Sequence, residues 1–268
     1  MINIKDLTFG YRLSSQKVFD HFSLELQGNS IYGLLGKNST GKSTLLNLIS
    51  GMLRPQSGTI EIDGLPSDER SKALLERLYL VPEELALPNY SFKKFVEIYS
   101  PFYKDFSQEM LDFCLQEFGL PYKMKLATLS MGNKKKAMTS FALAANTRIL
   151  LLDEPTNGLD IPSRRQFRRV IAQCMHEDRT IIISTHQVQD IEALLDHITI
   201  IGNKQLLLNA STEQLTTDYY FGPNPTGEIL YTEKSLEGDR YIARRTDLDE
   251  ETSVNVEMLF EYVNNKQL

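Results

Sequence analysis

Gly36-Lys37-Asn38-Ser39-Thr40-Gly41-Lys42-Ser43 sets the fold of this chain. The stretch fits G-x-x-x-x-G-K-[ST], a phosphate-binding loop, at every fixed position. Ile31-Tyr32-Gly33-Leu34-Leu35 before it reads as a short buried strand. Thr44-Leu45-Leu46-Asn47-Leu48-Ile49 after it reads as a helix. Strand, glycine-rich loop and helix are the context the motif needs. The start of a helix offers unpaired N–H groups and partial positive charge to a polyphosphate. Gly36 and Gly41 let the backbone wrap the phosphates without Cβ clashes. Lys42 would reach the β- and γ-phosphates, and Ser43 Oγ would bind Mg²⁺. The alternative is an ordinary glycine-rich turn capping a core helix, and the flanking elements argue against it.

A second element of the same kind stands at Arg148-Ile149-Leu150-Leu151-Leu152-Asp153-Glu154. An apolar run closed by two carboxylates reads as a buried parallel strand with acids at its C-terminal edge, where open α/β sheets bind ligands. Thr180-Ile181-Ile182-Ile183-Ser184-Thr185 is another such strand, and His186 ends it. His21, His176 and His197 carry no comparable context. Upstream of the loop, Ile2, Ile4 and Leu7 open a strand, and Phe22-Ser23-Leu24-Glu25-Leu26 alternates with period two. Tyr11 lies about 25 residues before the loop, either as a ring for stacking on a base or as a surface tyrosine. Thr59–Gly64 and Arg77–Val81 read as short strands, the latter stopped by Pro82 and followed by Glu83 and Glu84.

Residues 85 to 147 are helical and aromatic in character. Phe92, Phe95, Val96, Ile98, Tyr99 and Phe102 crowd helical spacings, and Met110, Leu111, Cys114, Leu115 and Phe118 give a second amphipathic helix. A third helix follows Ser130-Met131-Gly132-Asn133 and carries Lys134-Lys135-Lys136, a run that reads as a solvated face before it reads as a phosphate or acidic-partner contact. Ile198–Gly202 and Gln205–Leu208 form a hairpin around Asn203-Lys204, and 211–217 form a short helix. Pro223-Asn224-Pro225-Thr226-Gly227 reads as a linker to a small appendage with strands near 228–231 and 241–245 and a helix over 256–263. The expected division is 1–220 and 221–268, with a chain ended near Pro223 folding alone.

The 268 residues are 41% hydrophobic and 24% charged, ordinary for a globular protein with a proper core. A net charge of −6 argues against nucleic acid as the main partner. Cys114 and Cys174 form no C-x-x-C and fit a reducing compartment as small buried groups. Neither a signal segment nor an apolar run of about 18 residues is present, so no membrane crossing is expected.

Together these motifs resemble the nucleotide-binding subunits of ATP-binding cassette (ABC) transporters over about residues 1–215. Gly36 to Ser43 resemble Walker A, and Leu150 to Glu154 resemble Walker B with its catalytic glutamate. Asn157-Gly158-Leu159-Asp160 resemble the D-loop, His186 the switch histidine, and Tyr11 the adenine-stacking aromatic. Leu129-Ser130-Met131-Gly132-Asn133 looks like the signature L-S-G-G-Q, with Met131 for the first glycine and Asn133 for glutamine. At the Q-loop, where the family usually has glutamine, this chain has Glu83, with Glu84 beside it.

The resemblance implies an α/β P-loop core, an N-terminal antiparallel β part and a helical subdomain at about 85–147. It implies ATP and Mg²⁺ as ligands, held by Tyr11, Gly36 to Thr44, Ser130, Gly132 and Asn133, with Ser43, Glu83 and Asp153 at the metal. Glu154 would be the general base, and Lys42 and His186 would stabilise charge on the γ-phosphate. Two such subunits, alike or not, would close head to tail over two ATPs and drive an integral membrane partner from its cytoplasmic face. The Glu83, the altered signature and the short C-terminal extension resemble export systems. A soluble assembly ATPase of the same family is the rival, and a P-loop kinase would leave the signature unexplained.

Overall fold

The computed structural model describes residues 1–12, 14–234 and 238–266. β1 (Ile2–Gly10), β2 (Lys17–Leu26), β4 (Ser57–Ile62) and β5 (Leu65–Pro66) form an antiparallel sheet ordered β2-β1-β4-β5. β3 (Ile31–Leu35), β6 (Leu78–Val81), β7 (Ile149–Asp153), β8 (Thr180–Thr185), β9 (His197–Gly202) and β10 (Gln205–Ser211) form the second, ordered β10-β9-β3-β8-β7-β6. It is parallel except for β10, which returns against β9 through Asn203 and Lys204, both with positive φ. This is the α/β core read from the sequence.

Burial follows the two periodicities. β2 alternates through Phe22, Leu24 and Leu26 because one face packs and the other meets solvent. Every residue of β3, β7 and β8 is buried, as strands covered on both faces must be. Their C-terminal ends lie side by side, with Leu35 opposite Thr185 and Asp153 opposite Ser184. That edge receives the phosphate-loop motif, both acids of the apolar strand and His186.

α1 (Lys42–Ile49) leaves the loop, and α2 (Lys72–Leu75) leads into β6. α3 (Phe92–Tyr99), α4 (Gln108–Phe118) and α5 (Met131–Ala144) make the helical region. Ser91, Ser107 and Ser130 cap these three helices, each side chain accepting a first-turn N–H. α6 (Ile161–Gln173) starts at Asp160, capped in the same way. Cys114 of α4 and Cys174, just after α6, are buried free thiols whose Sγ atoms lie 3.7 Å apart. Distant in sequence, they meet where α4 packs against the C-terminal end of α6.

The C-terminal part corrects the sequence reading. After α7 (Thr212–Asp218) come β11 (Tyr219–Gly222), β12 (Ile229–Glu233) and β13 (Arg240–Arg244), ordered β11-β13-β12, then α8 (Val256–Asn265). Pro223–Gly227 is thus a loop between two strands of one sheet, not a tether. β11 is only four residues long and directly follows α7, so the sequence carries no distinct strand signal there. Val256, Met258, Leu259 and Tyr262 share one apolar cluster with Leu195, Ile198 and Ile200 of the main body. Val256 N–H also donates to Glu192 Oε1 at 2.8 Å.

We propose that the division near residue 220 marks an appendage packed onto the body rather than a separable unit. Of these α8 side chains, Val256, Met258 and Leu259 contribute roughly 1.5–3 kcal/mol each when buried, comparable in sum to the about 5–15 kcal/mol net stability of a domain. A chain ended at Pro223 is therefore expected to be insoluble or to melt at markedly lower temperature than the parent. A soluble truncation with parental thermal midpoint would show that the appendage is dispensable.

Candidate nucleotide site

The phosphate-loop motif wraps a concavity at the sheet edge. Gly41 sits at φ +104°, and a Cβ there would fall 2.6 Å from Val18 Cγ1 and 2.8 Å from Phe19 Cζ. At Gly36 a Cβ would fall 2.8 Å from Ile201 O. Both glycines are required by close approach of the backbone. Having no side chain, Gly41 leaves the N-terminus of α1 without a side-chain cap, facing the loop. Lys42 is buried to 7% exposure, and its Nζ donates to Gly36 O at 2.8 Å. Burial pulls this ammonium below the usual lysine range, while Glu154, Asp153 and Glu83 oppose the pull. Lys37, Asn38 and Ser39 are exposed at the loop crest, and Thr40 Oγ1 donates to Lys37 O at 2.8 Å.

Across the concavity stand the acids. Ser43 Oγ donates to Asp153 Oδ1 at 3.1 Å, and Ser184 Oγ donates to the same oxygen at 2.5 Å. Glu154 follows β7 at φ +46°, a left-handed conformation that costs a non-glycine residue about 1–2 kcal/mol. Its N–H donates to Ser184 O at 3.1 Å and to Ser184 Oγ at 3.0 Å. Its carboxylate points inward, with Oε1 3.8 Å from Lys42 Nζ and Oε2 2.9 Å from His186 Nδ1. Asp153 and Glu154 are each 5% exposed, so these charges are held by their partners rather than by water.

A cavity of about 630 Å³ is lined by Tyr11, Asn38, Lys42, Glu83, Glu154 and His186 among others. Tyr11 is at its rim, edge-on to Phe9, with its hydroxyl 3.0 Å from Thr44 Oγ1 and the ring 47% exposed. Of the two candidate Q-loop acids, Glu83 faces this cavity and accepts from Asn157 Nδ2 at 3.1 Å. Glu84 lines a different cleft. Ser130, Gly132 and Asn133 do not join the cavity. They form the start of α5, where Ser130 is exposed and Gly132 and Asn133 are half-buried, and a Cβ on Gly132 would stand 3.2 Å from Gly158 O.

Among the described residues, no group of three or more His, Cys, Asp or Glu side chains is placed to hold a metal alone. The site instead offers hard oxygen donors, Ser43 Oγ and the Asp153 carboxylate, sharing one hydrogen bond. That set fits Mg²⁺, which takes one or two protein oxygens and fills its octahedron from phosphate and water.

Two functional contributions went unread in the sequence. Ser184 looked like one more strand residue, and only the parallel register with Asp153 gives its hydroxyl a role. Lys135 lies in a lysine run that reads as a solvated face, yet it is 2% exposed, and its Nζ donates to the Glu154 carbonyl. Lys136 takes the surface role, donating to Gln166 Oε1 at 3.2 Å. Helical spacing would have placed Lys135 on the same face as Met138 and Ala142, which are buried.

Known proteins match this arrangement. The profile of the family described as "ABC transporter" matches residues 19–157. The bacitracin transport ATP-binding protein BcrA of Bacillus licheniformis is 34% identical over 77% of this chain and 68% of its own. The ABC transporter ATP-binding protein YtrB of Bacillus subtilis is 28% identical over 82% of this chain and 75% of its own. A dimeric ATP-binding cassette solved in a post-hydrolysis state with ADP and phosphate superposes with TM-score 0.68 at 22% identity, covering 79% of this chain and 98% of that one. The chain belongs to the ABC transporter family, as an ATP-binding subunit that hydrolyses ATP.

Proposed function

We propose that this subunit works as one of a pair, alike or not, that closes over two ATPs and drives export through an integral membrane partner. The pairing is supported by the split of the site. Ser130, Gly132 and Asn133 lie outside the cavity that the loop and Glu154 line, so a second copy is needed to bring a signature to each nucleotide. The post-hydrolysis cassette of similar fold is dimeric.

Within one chain, Lys42 and the loop N–H groups from Gly36 through Thr44 bind the phosphates, and Tyr11 stacks on the base. Mg²⁺, when bound, neutralises charge on the β- and γ-phosphate oxygens. Ser43 and Asp153 would hold it, with Glu83 as a further oxygen donor lining the same cavity. Glu154 takes the proton from the attacking water, and His186 and Lys42 offset the charge that develops on the γ-phosphate.

The observation that carries the transport reading is a cleft of about 960 Å³ beside the Glu83 segment. The aromatics of 90–106 divide there. Phe92 and Phe95 are buried, whereas Tyr99 and Phe102 are 38% and 68% exposed on its wall. Met52 and Leu75 add exposed apolar surface to the same cleft. Exposed apolar patches of this kind mark interaction sites. No helix among the described residues is long and apolar enough to cross a membrane. In this reading an integral membrane protein seated on the cleft supplies the crossing, with the subunit at its cytoplasmic face. The outward direction is supported by Glu83 and by the altered signature at Met131 and Asn133.

Two outcomes follow. Tyr99→Ala or Phe102→Ala should weaken co-purification with a membrane protein from solubilised membranes, since a buried aromatic anchor contributes about 2 kcal/mol or more. ATP binding by the isolated subunit should be untouched. Unchanged co-purification for both variants would move the docking surface elsewhere, and a soluble partner recovered in place of a membrane one would favour an assembly ATPase. Secondly, Glu83→Gln should need several-fold more Mg²⁺ for half-maximal hydrolysis, because one charge near the metal is worth about 1 kcal/mol in water. An unaltered Mg²⁺ dependence would remove Glu83 from the metal site.

A further inference from the structure

Glu154 has an unusual backbone for a residue asked to aim a carboxylate. At φ +46° it pays the left-handed penalty, and no glycine-like freedom relieves it. Such a conformation persists only where the surroundings fix it. Ser184 holds the N–H side with two acceptors, its carbonyl O and its Oγ. The carbonyl side is held by the N–H of Asn157 at 3.2 Å and by the ammonium of Lys135.

Lys135 is a costly way to satisfy a carbonyl. It is 2% exposed, and among the described residues no carboxylate oxygen lies within 4 Å of its Nζ. Burial accordingly pulls it below the usual lysine range, with Glu83, Glu154 and Asp153 opposing through space. An apolar residue of the same length would avoid that desolvation. What the ammonium adds is a charge-assisted hydrogen bond to one atom, the Glu154 carbonyl oxygen, in a low-dielectric setting.

We infer that Lys135 is a positioning residue for ATP hydrolysis, whose hydrogen bond to the Glu154 carbonyl fixes that residue's left-handed backbone and so aims its carboxylate between Lys42 and His186. The inference rests on Glu154 being the general base. It also gives α5 a double attachment. Ser130 caps the exposed end of this helix, and Lys135, on its second turn, is tied to the glutamate of the same chain. The segment carrying the signature is thereby joined to the acid that activates water.

The test compares Lys135→Met, Lys135→Gln, Glu154→Gln and the double variant Lys135→Met/Glu154→Gln in steady-state hydrolysis of Mg-ATP, with thermal midpoints measured beside them. Lys135→Met should lower kcat about 10- to 100-fold, the scale of a misplaced catalytic group, with KM changed less than about threefold. Lys135→Gln keeps an N–H donor without the charge and should stay within about tenfold of the parent. The double variant should be no slower than Glu154→Gln, because residues that act through one group are not additive. Parental kcat in Lys135→Met, beside a slow Glu154→Gln, would overturn the inference and leave the base assignment standing. Equal fold-losses from Lys135→Met in both backgrounds would show a general structural role and overturn it as well. Parental turnover in Glu154→Gln would instead sink the base assignment on which the inference stands. If the methionine variant is insoluble, a glutamine variant as slow as Glu154→Gln contradicts the inference on its own.

Discussion

The site depends on one short segment, the two residues that end β7. Asp153 is paired in register with Ser184, and Glu154 turns left-handed immediately after it. That turn takes the second carboxylate out of the sheet and points it across the cavity at Lys42 and His186. Had Glu154 continued as strand, its side chain would alternate to the opposite face from Asp153 in a sheet covered on both sides. A buried carboxylate without partners there would be strongly destabilising. The left-handed step removes this conflict, and Ser184, Asn157 and Lys135 hold it in place.

The parallel sheet supplies the precision. β3, β8 and β7 are neighbours with fixed register, so the loop after β3, the histidine after β8 and the acids after β7 emerge at one edge. Because all three strands are buried along their whole length, slipping any of them would expose apolar side chains and bury polar ones. The same packing that stabilises the core therefore sets the distances in the site.

Much of this was legible in the sequence. The phosphate loop carries its own geometry, since Gly36 and Gly41 stand where a Cβ would strike backbone or packed side chains. The apolar runs of β7 and β8 announce buried strands, and the acids and His186 at their ends announce an edge. What the sequence withheld depends on contacts across the fold. Whether Glu83 or Glu84 lines the cavity is a matter of one residue in a turn, and only the folded chain, with Asn157 reaching Glu83, distinguishes them. Lys135 resembles its neighbours in the run 134–136 until the helix is docked and its face is found inside. Cys114 and Cys174 meet because α4 packs on α6, which spacing does not reveal. At the C-terminus, the prolines of 223–227 signal a turn, and β11 is too short at four residues to show from sequence that this turn joins two strands of one sheet.

The central claim is that the carboxylate of Glu154, positioned by this turn, activates the water that attacks ATP. Its most direct test is single-turnover hydrolysis by Glu154→Gln with enzyme in excess over Mg-ATP, beside equilibrium binding of the same nucleotide. The account predicts intact binding and cleavage slowed about 10²–10⁴-fold, the usual contribution of a general base. Cleavage at the parental rate with ATP bound would contradict it.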